Sequence, residues 1–167
     1  MNAQDDTLRS RTITWSKPAP NVDLMKQVSG LESLRQAFGD AQRAAPIGRL
    51  MDFRTVSIDF GRVVFEGEPA EFHYNPIGTV HGGYAATLLD SCMGCSVHSA
   101  LKVGYGYTTV ELKVNYVRAL TAATGTVTAE GKIINVGSRI ATAEGRLVGS
   151  DGKLYAHGST TCLVFPL

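Results

Sequence analysis

The sequence predicts an α+β protein in which an antiparallel sheet curls around one long central helix. The helix is indicated by the stretch His81–Leu101, HGGYAATLLDSCMGCSVHSAL, which is long enough for about five to six turns and has apolar or small residues on every side. Two segments with strand character precede this stretch and four follow it. A curled antiparallel sheet is the economical way to cover such a helix.

Six strands are predicted from alternating residues and the turns between them: Phe53–Phe60, Arg62–Glu68, Tyr107–Arg118, Gly125–Val136, Arg139–Val148 and Lys153–Phe165. The cleanest alternation places Val110, Leu112, Val114 and Tyr116 on one face, and Thr109, Glu111, Lys113 and Asn115 on the other. Upstream, Ser29 as N-cap with Glu32 as its capping-box partner predicts a helix that stops near Gly39. Pro46–Met51 predicts one or two further helical turns.

Residues 1–22 mix charges and prolines with little periodicity, which predicts a flexible tail before a single domain of residues 23–167. A net charge of +1 gives no basic surface for nucleic acid. No apolar N-terminal run resembles a signal peptide, and Asp90 and His98 interrupt the one long apolar segment, which argues against a membrane span. With three cysteines and no disulfide framework, we expect a cytoplasmic protein.

Asp90 is the one formal charge in the middle of the predicted helix. An unpaired carboxylate there would cost several kcal/mol in lost solvation, so a functional role is favoured over a structural carboxylate with a buried partner. The turn-rich segment Asn75–Val80 leads to a helix start at His81-Gly82-Gly83. Unpaired N–H groups at a helix start suit a carbonyl oxygen that acquires negative charge, and glycines let a ligand approach closely.

The spacing of Gly82 and Asp90 has a geometric consequence. The two residues are eight positions apart, which is about 12 Å along a helix. One carbonyl group cannot touch both. If both serve one reaction centre, Gly82 of one chain must meet Asp90 of another, which predicts a symmetric dimer with two equivalent sites.

Four segments carry a family resemblance: NPIGTVHGGYAATLLDSCMGCSVHSAL, YTTVELKVNYVRAL, VGSRIATAEGRL and GKLYAHGSTTCLVF. They resemble the hotdog-fold acyl-CoA thioesterases of the phenylacetate-degradation (PaaI-like) type, over about Leu31–Phe165. The resemblance implies a hotdog fold and hydrolysis of an acyl-CoA thioester to the free acid and coenzyme A. It also implies no metal or redox cofactor, and a homodimer that commonly pairs into a homotetramer.

The resemblance also implies residue roles. The Gly82 N–H would polarise the thioester carbonyl, and Asp90 of the opposing chain would act as nucleophile or as general base on water. Asn75 and His81 would orient the substrate or the water and assist departure of the thiolate, while Thr108 would hold the water. Residues implied in substrate binding are Gly83, Tyr84 and Met93, together with Arg118, Gly137, Ser138 and Arg139 toward the nucleotide end of coenzyme A.

Each of these residues also has a structural interpretation. His81 can cap the helix, and Asn75 can be a turn residue. Tyr84, Met93 and Tyr116 can line an acyl pocket or can be ordinary core. Cys92 and Cys95 lie in mid-helix, where we expect buried fillers rather than a redox pair. The histidines have no ligand-like spacing, so no metal site is predicted.

Two other functions stay open. A hotdog enoyl-CoA hydratase would need an Asp and a His placed together, which His98, eight residues after Asp90, does not provide. A regulatory hotdog protein that binds acyl-CoA without cleaving it would normally carry a DNA-binding helix pair, and the N-terminal segment offers about one good helix. The acyl group also stays open, between aryl-acetyl or benzoyl and medium-chain groups.

Overall fold

A computed structural model describes residues 7–40, 43 and 45–167 of the chain. The helices and strands of this part are, in order, α1 Val22–Met25, α2 Gly30–Gly39, α3 Pro46–Met51, β1 Phe53–Asp59, β2 Arg62–Gly67, α4 Gly82–Ser99, β3 Tyr105–Tyr116, β4 Val127–Val136, β5 Ile140–Gly149 and β6 Leu154–Pro166. Short 3-10 turns lie at Glu71–His73 and Ala122–Thr124. No helix in this part is both long enough and apolar enough to cross a bilayer.

The six strands form one antiparallel sheet in the order β1-β2-β4-β5-β6-β3, and α4 packs against its inner face. The helix lies directly on β4 and β5, because both strands carry glycine at the contact. A methyl group on Gly131 would collide with the backbone of Cys92, and one on Gly145 would lie 2.9 Å from the side chain of Met93. The predicted sheet around a long central helix is confirmed.

Apolar or small residues on every side of α4 predict a helix that the rest of the fold encloses, but one stripe of the helix is not covered. The sheet-facing side chains are buried, including Leu88, Leu89 and Met93. The residues on the other side are only partly buried: Gly83, Ala86, Thr87, Asp90, Ser91 and Cys95. The two edge strands, β1 and β3, do not pair with each other, so the sheet leaves this stripe uncovered along part of its length.

A β-bulge in β3 overturns the face assignment made from simple alternation. The pairing of β3 with β6 shifts between Thr109 and Glu111, so Val110 is the extra residue. Thr109 pairs with the buried Cys162, and directly opposed residues of an antiparallel pair share a face. Thr109 therefore lies on the inner face of the sheet, rather than on the same face as Glu111, Lys113 and Asn115, where simple alternation places it.

The N-terminal helices follow the predicted signals in part. The Ser29 side chain accepts a hydrogen bond from the Glu32 N–H at 3.3 Å, and α2 ends at Gly39 as predicted. Sequence reasoning missed α1, a helix of four residues. Within the predicted tail, Arg11 donates to the carbonyl group of Arg49 at the end of α3. Residues 1–6 lie outside the described residues, so the flexible tail stays a prediction.

The buried His98 side chain should make the stability of the protein depend on pH. Its Nε2 lies 2.8 Å from the Ser33 hydroxyl oxygen, and burial lowers the pKa of His98 to about 4. The unfolded chain therefore takes up a proton on this side chain at a higher pH than the folded protein does. The resulting stabilisation is complete above about pH 6.5, is lost as the pH falls toward 4, and is on the order of 3 kcal/mol.

We expect the free energy of unfolding, measured in urea, to fall between pH 6.5 and pH 4, and His98→Gln to reduce that slope. The slope, rather than the stability at one pH, is the readout, because glutamine also changes the packing. Equal slopes for both proteins would contradict the assignment to His98.

Candidate active site

Asp90 lies on the partly buried stripe of α4, and it lines a cavity. Its Oδ1 accepts a hydrogen bond from the Thr109 hydroxyl at 3.1 Å. The cavity, called here the Asp90 cavity, has a volume of about 470 Å³. Its apolar and aromatic walls come from α2, α3, α4 and three strands, and include Phe38, Ile47, Phe53, Phe65, Cys95 and Tyr107. A carboxylate held by one hydroxyl in a largely apolar space is the arrangement expected of a nucleophile or general base.

The hydroxyl beside the carboxylate is not the predicted one. Thr108 lies exposed on the outer face of β3, whereas Thr109 points inward to Asp90. The bulge at Val110 explains the difference, because it shifts the inner face by one residue in this part of the strand. Nothing in the alternating pattern of the sequence marked this shift.

The cysteines of α4 are not reactive groups. Burial, with the nearby Asp90 charge, raises the pKa of the Cys95 thiol to about 12, and burial also raises the pKa of Cys92 well above its ordinary range. Both thiols are therefore protonated near neutral pH and poor nucleophiles. This agrees with the prediction of fillers, although Cys95 also contributes to the wall of the Asp90 cavity.

The start of α4 presents a second set of polar groups. His81 is the N-cap, and its Nδ1 accepts a hydrogen bond from the Gly83 N–H at 2.9 Å. The Gly82 N–H has no hydrogen-bond acceptor among the described residues. Gly82 borders a hollow of about 280 Å³, called here the Gly82 hollow, together with Tyr116 and Arg118. An unpaired amide at a helix start can donate to a developing oxyanion.

The Asn75 side chain forms its hydrogen bonds within its own loop. Its side-chain Oδ1 accepts from the N–H groups of Ile77 and Thr79 at 3.1 and 3.3 Å, and its Nδ2 donates to the Thr79 hydroxyl at 3.0 Å. These bonds close the loop that precedes His81. The geometry therefore supports the structural interpretation of Asn75, and a direct contact with substrate stays a prediction.

Asp90 and Gly82 line two different cavities. The Asp90 cavity is bordered by α3, β1 and the first half of β3, whereas the Gly82 hollow is bordered by the end of β3 and the segment after it. Within the described residues of one chain, no cavity contains both groups. A single chain therefore does not assemble the two halves of the proposed reaction centre.

The other predicted binding residues are spread over the molecule. Arg118 borders the Gly82 hollow, but Gly137 and Ser138 border a separate cavity beside Leu101, at the opposite end of α4. One chain thus does not bring Arg118 together with the Gly137-Ser138-Arg139 turn.

The predicted substrate contact of Met93 is not supported, because this side chain is fully buried against Gly145 in the core. Tyr84 is 1% exposed and packs on the His73 ring at 4.4 Å between ring centres. Thr109, which sequence reasoning did not select, lies beside Asp90. Tyr116, interpreted from the sequence as acyl-pocket wall or core, lies instead at the start of α4, where its hydroxyl donates to the Gly82 carbonyl at 3.1 Å.

His98 does not form with Asp90 the Asp–His pair that a hydratase would need. His98 is buried against Ser33 of α2 and does not line the Asp90 cavity. Among the described residues, no three His, Cys, Asp or Glu side chains are grouped as metal ligands. The expectation of a reaction without metal or redox cofactor stays a prediction.

Comparison with known proteins identifies the family. Residues 77–156, which include Gly82 and Asp90, match the thioesterase superfamily model. A protein named as an esterase in Saccharolobus solfataricus is 30% identical over 117 residues, which cover 69% of this chain and 80% of that protein. The chain belongs to the thioesterase superfamily.

A second relative is a Halobacterium salinarum protein that is named as an esterase. It is 42% identical to this thioesterase-superfamily chain over 69 residues. That match covers 40% of this chain and spans 44% of the relative's length.

Solved structures agree on the fold. A mutant of the phenylacetic acid degradation protein PaaI from Thermus thermophilus superposes with a TM-score of 0.65 at 27% identity, covering 71% of this chain and 98% of that one. A Streptococcus mutans protein bound to acetyl CoA superposes with a TM-score of 0.63 at 24% identity, covering 69% of this chain and 90% of that one. The predicted hotdog fold and PaaI-like type of this thioesterase-superfamily chain are confirmed.

Proposed function

We propose that this protein hydrolyses acyl-CoA thioesters to the free acid and coenzyme A. The observation that carries the proposal is the Asp90 carboxylate, held by Thr109 at the wall of a largely apolar cavity of about 470 Å³. Membership of the thioesterase superfamily supports thioester hydrolysis in general. The acetyl CoA bound to the similar Streptococcus mutans protein supports a coenzyme A ester as the substrate.

The chemistry needs three groups around the thioester. The Gly82 N–H donates to the carbonyl oxygen, which makes the carbon more electrophilic and stabilises the oxyanion. The Asp90 carboxylate either attacks that carbon or removes a proton from an attacking water molecule. The carbon–sulfur bond then breaks, and water supplies the hydroxyl of the acid and the proton of the thiol. Neither route requires a metal or a redox cofactor.

The two groups belong to different chains of a dimer in this proposal. We propose that a second copy of the same chain pairs with the edge strand β3. Apolar side chains stand exposed on this strand, with Val110 58%, Leu112 36% and Tyr116 57% exposed. Antiparallel pairing of two β3 strands would place the Thr109 end of one beside the Tyr116 end of the other. It would thereby bring Asp90 of one chain toward Gly82 of its partner, because these residues contact the two ends of β3.

The acyl group would occupy the Asp90 cavity. Its aromatic and aliphatic walls suit a benzoyl, aryl-acetyl or medium-chain acyl group. The coenzyme A arm would leave past the Gly82 hollow of the partner chain, which Arg118 borders, and this guanidinium group would bind phosphate.

A thiol-release assay with purified protein tests this function. The substrates are benzoyl, phenylacetyl, hydroxyphenylacetyl, acetyl and medium straight-chain CoA esters, with crotonyl-CoA followed separately for hydration. We expect thiol release from at least one aromatic or medium-chain ester, faster than from acetyl-CoA because the larger groups fill the cavity. Tight binding of these esters without thiol release over hours, or hydration of crotonyl-CoA instead, would contradict hydrolysis as the function.

A further inference from the structure

The end of β3 contacts the start of α4 through Tyr116. The Tyr116 hydroxyl donates to the Gly82 carbonyl oxygen at 3.1 Å, and its ring packs against the Gly82 backbone. A methyl group built on Gly82 would lie 3.1 to 3.2 Å from three ring and hydroxyl atoms of this tyrosine. The contact therefore depends on glycine at position 82.

The same peptide group is bonded on both sides. The carbonyl of Gly82 and the N–H of Gly83 belong to one peptide unit. The carbonyl accepts from Tyr116 at 3.1 Å, and the N–H donates to Nδ1 of His81 at 2.9 Å. Consecutive hydrogen bonds through one polar group strengthen each other, because each polarises the group for the next. Tyr116 is thereby coupled to His81 without touching it.

This coupling decides how His81 can act. An amide N–H can only donate, so Nδ1 of His81 must carry a lone pair, and the ring proton of the neutral imidazole is on Nε2. His81 is exposed and borders the Gly82 hollow, beside the Gly82 N–H, which has no acceptor in the part of the chain that the structure describes. The ring is therefore held with a donor available next to the position that the thioester would occupy.

We propose that Tyr116 is a positioning residue, which orients His81 through the peptide group between Gly82 and Gly83 so that His81 Nε2–H donates to the departing sulfur. This inference rests on the proposed thioester hydrolysis. The Nε2–H donates a hydrogen bond to the sulfur as the carbon–sulfur bond breaks and negative charge develops there. The ring keeps its proton, and the thiolate takes its proton from water.

Tyr116→Phe tests the proposal, because it keeps the ring against Gly82 and removes only the hydroxyl. We expect kcat for acyl-CoA hydrolysis to fall about three- to tenfold, the range that follows from losing one neutral hydrogen bond. KM should stay within about twofold, since the ring that borders the hollow is unchanged. Tyr74→Phe is the matched control. It also removes a phenol hydroxyl, one that accepts from the Ala122 N–H and, among the described residues, forms no hydrogen bond with His81 or α4.

The leaving group separates positioning of His81 from a general loosening of the helix start. A 4-nitrothiophenyl ester of the same acid releases a stable thiolate that needs little help from a donor. For this ester, we expect Tyr116→Phe and the wild-type protein to differ by less than about twofold. An equal loss with both esters would overturn the proposal, since it would mean that Tyr116 acts on the carbonyl side of the reaction.

Nuclear magnetic resonance gives a readout that does not depend on activity. The chain has four histidines, so the His81 ring nitrogens can be assigned by comparison with His81→Gln. We expect an unprotonated Nδ1 in the wild-type protein. In Tyr116→Phe, the Gly83 amide proton should move upfield and the Nδ1 resonance should shift. Unchanged Gly83 and His81 signals would overturn the relay, whereas a protein that keeps the relay but cleaves no thioester would contradict only the proposed function.

Discussion

Asp90→Asn is expected to lower kcat for acyl-CoA hydrolysis by about 10²- to 10⁴-fold, the range found for removal of a catalytic acid–base group. Asparagine has nearly the same shape as aspartate, and its side-chain oxygen can still accept from the Thr109 hydroxyl. The fold and the dimer should therefore persist. The loss would come from the missing negative charge, since an amide neither attacks a thioester nor removes a proton from water. Thiol release under saturating substrate is the measurement.

Asp151→Asn is the matched control for this change. It makes the same carboxylate-to-amide substitution in the turn between β5 and β6, where Asp151 pairs with Lys153 on the surface. We expect its kcat to equal that of the wild-type protein. If Asp90→Asn retained near-normal hydrolysis of every ester that the wild-type protein cleaves, Asp90 would have no place in the mechanism.

Gly82→Ala is expected to lower kcat/KM on the order of 10²-fold, comparable to the loss of one oxyanion-hole donor. The added methyl group would lie 3.1 Å from the nearest ring carbon of Tyr116, so either the ring or the helix start must move. Both movements displace the Gly82 N–H relative to the carbonyl that it polarises. Thiol release over a range of substrate concentrations gives kcat/KM.

Gly39→Ala is the control for the added methyl group. Gly39 is the exposed last residue of α2, and a methyl group there would meet no atom within 4 Å. Its activity and thermal stability should be close to those of the wild-type protein. If Gly82→Ala left kcat/KM at the wild-type value, the helix start would not bind the carbonyl.

Local signals in the sequence predicted much of the fold because their physical causes act over a few residues. Ser29 followed three positions later by Glu32 satisfies N–H groups at a helix start in any context, and the structure contains that cap. The long apolar segment with glycine at its start could hardly be anything but a core helix, and α4 begins at Gly82. These features do not depend on how the sheet closes.

The contacts at the candidate site could not be predicted from any short segment of the sequence. The bulge at Val110 arises from the pairing of β3 with β6, and it decides that Thr109 rather than Thr108 meets Asp90. The contact of Tyr116 with Gly82 joins residues 34 positions apart. The open stripe of α4 results from the two sheet edges that do not meet. These features are set by how the strands pair, and simple alternation of residues shows neither the bulge nor which strands form the edges of the sheet.

Subunit complementation tests most directly whether two chains share one reaction centre. Asp90→Asn and Gly82→Ala protein, each nearly inactive alone, are mixed in equal amounts, unfolded together and refolded, with each variant refolded alone as the control. In a mixed dimer, one site would have both changes and the other would have neither. Random pairing should therefore restore about one quarter of the wild-type activity. Activity no higher than that of the separately refolded variants, although mixed dimers have formed, would contradict a centre built from Gly82 of one chain and Asp90 of its partner.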